Sequence, residues 1–251
     1  MKLAGRTVLI TGGRRVGAEV ALAVASRGAR VAMTYRSSRR AIEEAVGRVE
    51  AAGSQGLAIH ADLTDPQAAD HVVGETVRHF GALDVLVNMT SDYARTPFDR
   101  LTPADFEHML AANLKAPYLT AVAAAKAMLR QPAADGIKGK IINFADWAVF
   151  RPYKDYLPYL VAKGGLVTLT LALAQELAPH VHVNAIAPAM IDPPPDMTPA
   201  EIEAVRQATP LRRIGSAADV VNLVLYLIEG TDFATGEVYR VDGGRFLSAD
   251  A

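Results

Sequence analysis

The sequence contains no cysteine. That absence excludes a disulfide framework and a thiolate nucleophile, and it suits a reducing compartment, so a cytoplasmic location is expected. Charge of one sign is not in excess either: 26 lysines and arginines face 27 aspartates and glutamates, for a net charge of −1. No basic run marks a polyanion-binding face, so neither nucleic acid nor an anionic membrane surface is expected as a partner. The histidines are scattered without metal-ligand spacing, and no metal site is expected. Nothing reads as a signal peptide, the apolar run at 7–11 being too short for one. The most apolar segment, 157–177, is interrupted by Pro158, Lys163, Gly164 and Gly165. A bilayer span takes about 20 clean apolar residues, so this segment is expected to be a buried helix.

What is present is a chain of 251 residues, 51% of them hydrophobic, enough for a full core. Short β-rich runs at 7–11, 30–35, 56–60, 84–88, 140–144, 182–187 and 237–241 alternate with helical patterns near 16–27, 38–52, 66–79, 103–130, 156–178 and 217–229. Such alternation predicts an α/β fold with a parallel sheet covered on both faces. Continuous apolar strands such as Val85-Leu86-Val87 suit burial on both sides. With no linker or repeat, the reading is one domain over 1–251, a doubly wound, mostly parallel seven-stranded Rossmann fold. Residues 191–210 break the alternation with Pro193-Pro194-Pro195 and a helix start in which Thr198 caps and Pro199 takes the first helical position. Because ligands bind at carboxyl ends of such strands, this segment is either a substrate lid or a surface excursion.

The first run leads into Thr11-Gly12-Gly13-Arg14-Arg15-Val16-Gly17. Glycines let the backbone approach a pyrophosphate and helix N-terminal amides donate to it. Arg14 and Arg15 add positive charge there. At the end of the second strand, Tyr35-Arg36-Ser37 carries no acid to accept from a ribose 2′-hydroxyl. Arg36 and the serine suit a 2′-phosphate, which predicts NADPH; a solvated surface arginine is the alternative. Asp62, after the third strand, either accepts from an adenine amine or caps a helix. Tyr159 and Lys163 stand one helical turn apart, and Asp146 precedes Tyr159 by 13 residues. A cation beside a phenol lowers the phenol's pKa and prepares it to hand over a proton. The same spacing also arises from a packed ring and a solvated amine.

In order along the whole chain, the glycine turn, Asp62, Asn88, Asn113, the Tyr159–Lys163 pair, Asn184-Ala185-Ile186-Ala187-Pro188 and Val241-Asp242-Gly243-Gly244 resemble the short-chain dehydrogenase/reductase family. The resemblance implies catalysis by Tyr159, Lys163 and Asn113, and a serine at the position held by Asp146. That aspartate is similar to the pteridine reductase branch, which includes bacterial dihydromonapterin reductases. So are Arg15 in the glycine turn and the segment Asn88-Met89-Thr90-Ser91-Asp92-Tyr93, whose aromatic falls where that branch stacks a pterin. The resemblance also assigns Leu63, Asn88 and Pro188 to the cofactor, Ser91, Tyr93 and Met190 to the substrate, and a homotetramer to the assembly. The glycine turn is one residue shorter than the family's usual one, and Ala189 replaces the usual glycine after Pro188.

On this reading Tyr159 is the acid, Lys163 lowers its pKa and holds ribose hydroxyls, and Asn113 anchors a water. An asparagine satisfying backbone at a helix kink is the alternative for Asn113. An ionised Asp146 repels the oxyanion of a reduced ketone but accepts from an N–H, which favours a C=N bond in a small, pterin-like heterocycle. If buried, it can be protonated and donate; a structural helix-cap or loop aspartate is the alternative. Trp147 flanks a flat ring or belongs to the core. The expected function is NADPH-dependent reduction of a pterin-like substrate. The rivals are a carbonyl or 3-oxoacyl reductase and a catalytically silent NADP-binding protein.

Overall fold

The computed structural model describes all residues except 134–135, 194–196 and 249–251. Seven strands form one parallel sheet in the order β3-β2-β1-β4-β5-β6-β7. They are β1 Thr7–Gly12, β2 Arg30–Tyr35, β3 Gly56–His60, β4 Val85–Met89, β5 Gly139–Phe144, β6 Val181–Pro188 and β7 Val238–Val241. Each lies within two residues of its expected run. The order reverses between β1 and β4, where a doubly wound sheet opens its ligand crevice.

Side-chain alternation along the strands divides the core into two layers. Val8, Ile10, Val85 and Val87 face α1 (Val16–Ala25), α2 (Arg39–Ala51) and α8 (Ala217–Leu225). Leu9 and Leu86 between them face α3 (Ala68–Phe80), α5 (Ala116–Arg130) and α6 (Leu157–Leu177). The apolar α6 is long enough by length and composition to cross a bilayer. It packs instead along β6, burying Ala162, Lys163, Leu166, Thr170, Ala174 and Leu177 on one face.

The expected single helix at 103–130 is two. α4 (Pro103–Leu110) starts on a capping box between Thr102 and Asp105. The turn at Ala111–Lys115 then widens, with the Ala116 N–H donating to the Ala111 carbonyl five residues back, before α5 begins. Pro117 explains the break: it lacks the N–H that an α-helix would give to the Asn113 carbonyl.

Asn88 lies at the carboxyl edge of the sheet, fully enclosed. Its Oδ1 accepts from Thr11 Oγ1 at 3.2 Å and Thr120 Oγ1 at 2.7 Å. Its Nδ2 donates to the Pro117 carbonyl at 3.2 Å and to Asn143 Oδ1 at 3.0 Å, and Asn143 Nδ2 donates to Thr170 Oγ1 at 3.0 Å. The side chain expected to meet the cofactor is therefore spent inside the protein. A buried amide with every site paired cannot turn outward without orphaning its partners. Asn88→Ala should consequently lower the unfolding free energy by about 2–4 kcal/mol, since several buried groups lose partners at about 1–3 kcal/mol each. Urea titration without cofactor checks this; a loss confined to the cofactor-bound protein would refute it.

Candidate active site

The switch point between β1 and β4 holds a cavity of about 490 Å³. Gly12, Gly13, Arg14, Arg15, Val16, Tyr35, Arg36, Ser37, Asp62 and Leu63 line it, all expected from the sequence for the cofactor. The turn's glycines are required by space as well as by φ. A Cβ on Gly12 would stand 3.1 Å from Thr90 Cα, and one on Gly13 would stand 2.9 Å from Gly17 Cα, at φ of +65° and +75°. Gly17 does not line the cavity; it is buried where α1 meets the turn, beside Met89. The shortened turn and Met89 are thus packed together, the sulfur lying against Gly13 and Gly17. An open cradle of bare backbone at a helix start fits a dinucleotide pyrophosphate.

Arg36 is exposed at the far end of this cavity. Asp62 does not cap α3, whose first turn begins at Ala68 after Gln67. Its Oδ1 accepts from Thr64 N at 3.0 Å and Thr64 Oγ1 at 2.7 Å, and these bonds hold its carboxyl below the usual range. Arg15 reaches away from the turn: its guanidinium donates to the Asp192 carbonyl at 2.9 Å, tying the glycine turn to the segment after β6. That segment has the expected Thr198 cap and Pro199 start on α7 (Pro199–Ala208), while Pro194 and Pro195 lie outside the described residues. Pro188 ends β6 and does not line the 490 Å³ cavity.

The catalytic candidates converge where β5 ends. Asp146 opens a short 3₁₀ turn, Trp147–Val149, accepting from Ala148 N at 2.8 Å. Its other oxygen accepts from Tyr159 Oη at 2.7 Å. One oxygen of Asp146 thus caps the turn and the other meets the Tyr159 hydroxyl. Burial raises the Asp146 pKa, opposed by the Ala148 amide, the Tyr159 hydroxyl and the Lys163 charge. Lys163 is fully enclosed on α6, and its Nζ donates to the Phe144 carbonyl at 2.7 Å and lies 5.8 Å from the Tyr159 ring centre. Burial pulls its pKa down to about 8, against the pull of Asp146.

The lowered phenol expected at Tyr159 is not found. Burial raises its pKa well above the ordinary value, and the neighbouring Asp146 charge and hydrogen bond raise it further. A lysine committed to a carbonyl does not outweigh a carboxylate at hydrogen-bond distance.

Asn113 also departs from expectation. Its Nδ2 donates to the Asp92 carbonyl at 2.9 Å and the Met109 carbonyl at 3.2 Å, while its Oδ1 accepts from Ser91 Oγ at 2.7 Å and Asp92 N at 3.2 Å. It satisfies backbone in the widened turn and fastens the loop after β4, rather than reaching towards Lys163. Ser91 joins the cofactor cavity through this loop.

Tyr93 stacks on Tyr156, ring centres 4.5 Å apart and 14° between planes, and meets Tyr159 edge-on at 5.0 Å. Its hydroxyl lies 3.1 Å from that of Tyr153. Trp147 is buried in the core cluster that holds Tyr159, so it walls the site without offering an open face. Met190 lines a second cavity of about 330 Å³.

The sequence reading missed Thr34, Thr64, Thr90 and Asp92 on the cofactor cavity, and the tyrosines Tyr153 and Tyr156. Parallel pairing supplies a signal for Thr90: with Gly12 opposite Met89, the residue after β4 must lie beside the glycine turn.

Comparisons with known proteins agree with this geometry. The family profile described as enoyl-(acyl carrier protein) reductase matches residues 13–245. A protein of Streptomyces violaceoruber, assigned as ketoacyl reductase 2 of the granaticin polyketide synthase, is 35% identical, with 95% of each chain covered. A 3-oxoacyl-[acyl-carrier-protein] reductase of Synechocystis is 32% identical, with 98% of each covered. The solved short-chain dehydrogenase/reductase of Serratia marcescens superposes with a TM-score of 0.90 at 31% identity, covering 98% of this chain and all of that one. Two of these relatives are named as ketoacyl or 3-oxoacyl reductases and none of the three as a pteridine reductase, which favours the alternative expected from the sequence over its first expectation. With the cradle, the Asp146–Tyr159–Lys163 group and these likenesses in hand, the chain belongs to the short-chain dehydrogenase/reductase family of oxidoreductases.

Proposed function

We propose that the protein is an NADPH-dependent reductase of ketones of the 3-oxoacyl kind. The observation that carries this reading is the 2.7 Å hydrogen bond that Tyr159, one helical turn from the enclosed Lys163, donates through Oη to the partly buried Asp146. An ionised carboxylate would oppose a developing oxyanion, but a protonated one donates, so two acids then converge on one oxygen. The ketone names of the relatives support it.

A nicotinamide dinucleotide held in the 490 Å³ cavity supplies the hydride. The chain's own residues do the rest. The bare turn at Gly12 and Gly13 with Arg14 takes the pyrophosphate, and Arg36 takes the 2′-phosphate. Tyr159 delivers the proton to the substrate oxygen. Asp146 holds the Tyr159 hydroxyl through the 2.7 Å hydrogen bond, and it donates to the substrate oxygen only in its protonated form. Lys163, when charged, stabilises the phenolate left behind, a role opposite in timing to the lowered resting phenol expected from the sequence. Tyr93 and Tyr156 present an aromatic wall to the substrate.

One feature favours a second reading. If Asp146 is ionised, it suits an N–H donor, and a pterin-like heterocycle against Tyr93 is the substrate. The assembly is proposed to be a homotetramer: Leu157, Val161 and Leu171 leave apolar surface of α6 exposed, and Leu157 and Val161 line a groove with Phe98.

Arg36→Asp should cut the preference for NADPH over NADH by at least about 10-fold, the scale of a lost hydrogen bond to a charged group. Binding both dinucleotides by fluorescence titration tests this, and equal affinities in the wild type would remove Arg36 from the argument.

Tyr159→Phe should lower kcat by roughly 10²–10⁴ with cofactor affinity nearly intact, because only the acid is lost. As pH rises through about 8, Lys163 loses its charge, so kcat/KM should fall on the alkaline side. In Lys163→Ala that limb should vanish along with most turnover. An unchanged limb in this variant would assign it to another group.

Asp146→Ser separates the substrates. Wild-type ketone reduction should weaken as pH rises and Asp146 ionises, because the raised carboxyl donates only while protonated. The serine donates at every pH, so the variant should keep ketone turnover and lose the fall that belongs to Asp146, leaving only the Lys163 limb at about pH 8. NADPH oxidation with a 3-oxoacyl thioester and with a dihydropterin reads both. A wild type that reduces the pterin and ignores ketones would replace the main reading with the second.

A further inference from the structure

The 330 Å³ cavity that holds Met190 belongs to no part of the site described above. Ala189 joins them, since it lines this cavity and packs in the cluster with Trp147 and Tyr159. Its wall carries five charged side chains, of which Arg240 lies over the rings of Phe150 and Phe246, 5.5 and 4.4 Å from their centres. Arg213 and Asp219 neutralise each other through two bonds of 2.7 Å. Asp242 is consumed by backbone, accepting from Gly244 N at 2.9 Å and Phe246 N at 3.0 Å. Arg245 is different. Among the described residues it has no carboxylate partner, and its Nε is enclosed without a hydrogen bond. Its one side-chain bond is a long 3.5 Å contact to the Val205 carbonyl.

The guanidinium is nevertheless held firmly. Its carbon lies 5.2 Å from the centre of the Trp147 ring, the residue next to Asp146. Partial burial lowers its pKa, as expected of a cation removed from water without a counter-charge. A planar fork stacked on an aromatic, with unpaired N–H groups beside a cavity, is the arrangement that reads carboxylate or phosphate oxygens. A ligand cavity of this size also takes more than a single ion.

We propose that this cavity is the distal arm of the substrate site, and that Arg245 binds an oxyanion on the end of the substrate remote from the reacting carbonyl. The proposal rests on the reading that Tyr159 and Asp146 mark the place of carbonyl reduction. Two sources carry the same chemistry: a carboxylate of the substrate itself, or the phosphate of a carrier arm bearing it.

The experiment compares four substrates at saturating NADPH: a 3-oxo dicarboxylic acid, the same acid with its carboxyl remote from the ketone converted to an uncharged amide, a 3-oxoacyl phosphopantetheine thioester, and the same acyl group on a thioester without phosphate. In the wild type, KM should be lower for the anionic member of one pair. Arg245→Gln should shrink that anionic-over-neutral ratio by about 10- to 100-fold, the scale of one charge-assisted hydrogen bond, with the change in KM rather than kcat. Arg245→Lys keeps the charge without the fork and should fall between. The pair that responds identifies the source. Thermal stabilisation of the cofactor-bound protein by the unreactive 3-hydroxy dicarboxylate gives a readout independent of turnover, and it too should be lost in Arg245→Gln. Ratios unchanged by both variants, with ketones still reduced, would overturn the distal arm and leave the reductase reading intact. Absence of ketone reduction with the binding shift retained would overturn that reading instead.

Discussion

The buried amide pair Asn88–Asn143 is the constraint on which the site depends. It joins β4 to β5 and is bonded outward to Thr11 on β1, Thr120 and Pro117 on α5, and Thr170 on α6. These are the elements that bring the glycine turn, the loop after β4 and the Tyr159 helix to one edge. An apolar contact there would tolerate sliding, whereas a network with every group paired has one arrangement and loses heavily in any other. Because α6 is fixed through Thr170, Lys163 two turns earlier meets the Phe144 carbonyl, and Tyr159 one turn before that meets Asp146. The catalytic distances are in this sense consequences of a polar interaction in the core.

The fold was legible because its signals are local and repeated. β-branched runs with helical patterns between them place all seven strands to within two residues, and the glycine turn lies where its strand–turn–helix context puts it. The break inside 103–130 was legible in principle, since Pro117 stands in the interior of the pattern. Long apolar periodicity on either side hides such a break, and a widened turn lets the helix axis continue.

The site was legible in membership and less so in role. Asn88 and Asn113 have the residue type of ligand-binding groups, and both spend their amides on the protein. Whether an amide faces a cavity or a neighbouring loop depends on partners far along the chain, here Asn143 and Ser91, which no local pattern announces. Tyr159 and Lys163 fail in a similar way. Helical spacing puts them on one face but says nothing of how deeply that face is buried or of the Phe144 carbonyl waiting for the ammonium. Arg245 follows a glycine pair common to the family, and what sets it apart is the Trp147 ring beneath it and the lack of a carboxylate partner among the described residues.

Asp146 is where these threads meet. At a position where the family places a hydroxyl, a carboxylate looks incompatible with relatives named as ketone reductases. Desolvation bears on the conflict, because it raises the Asp146 pKa and only a protonated carboxyl can donate. Lys163 pulls the other way, as does the Ala148 amide, so the proton on Asp146 is held between opposing influences rather than fixed by one. A serine is a donor regardless of its surroundings, while an aspartate is a donor only as long as the surroundings stay dry.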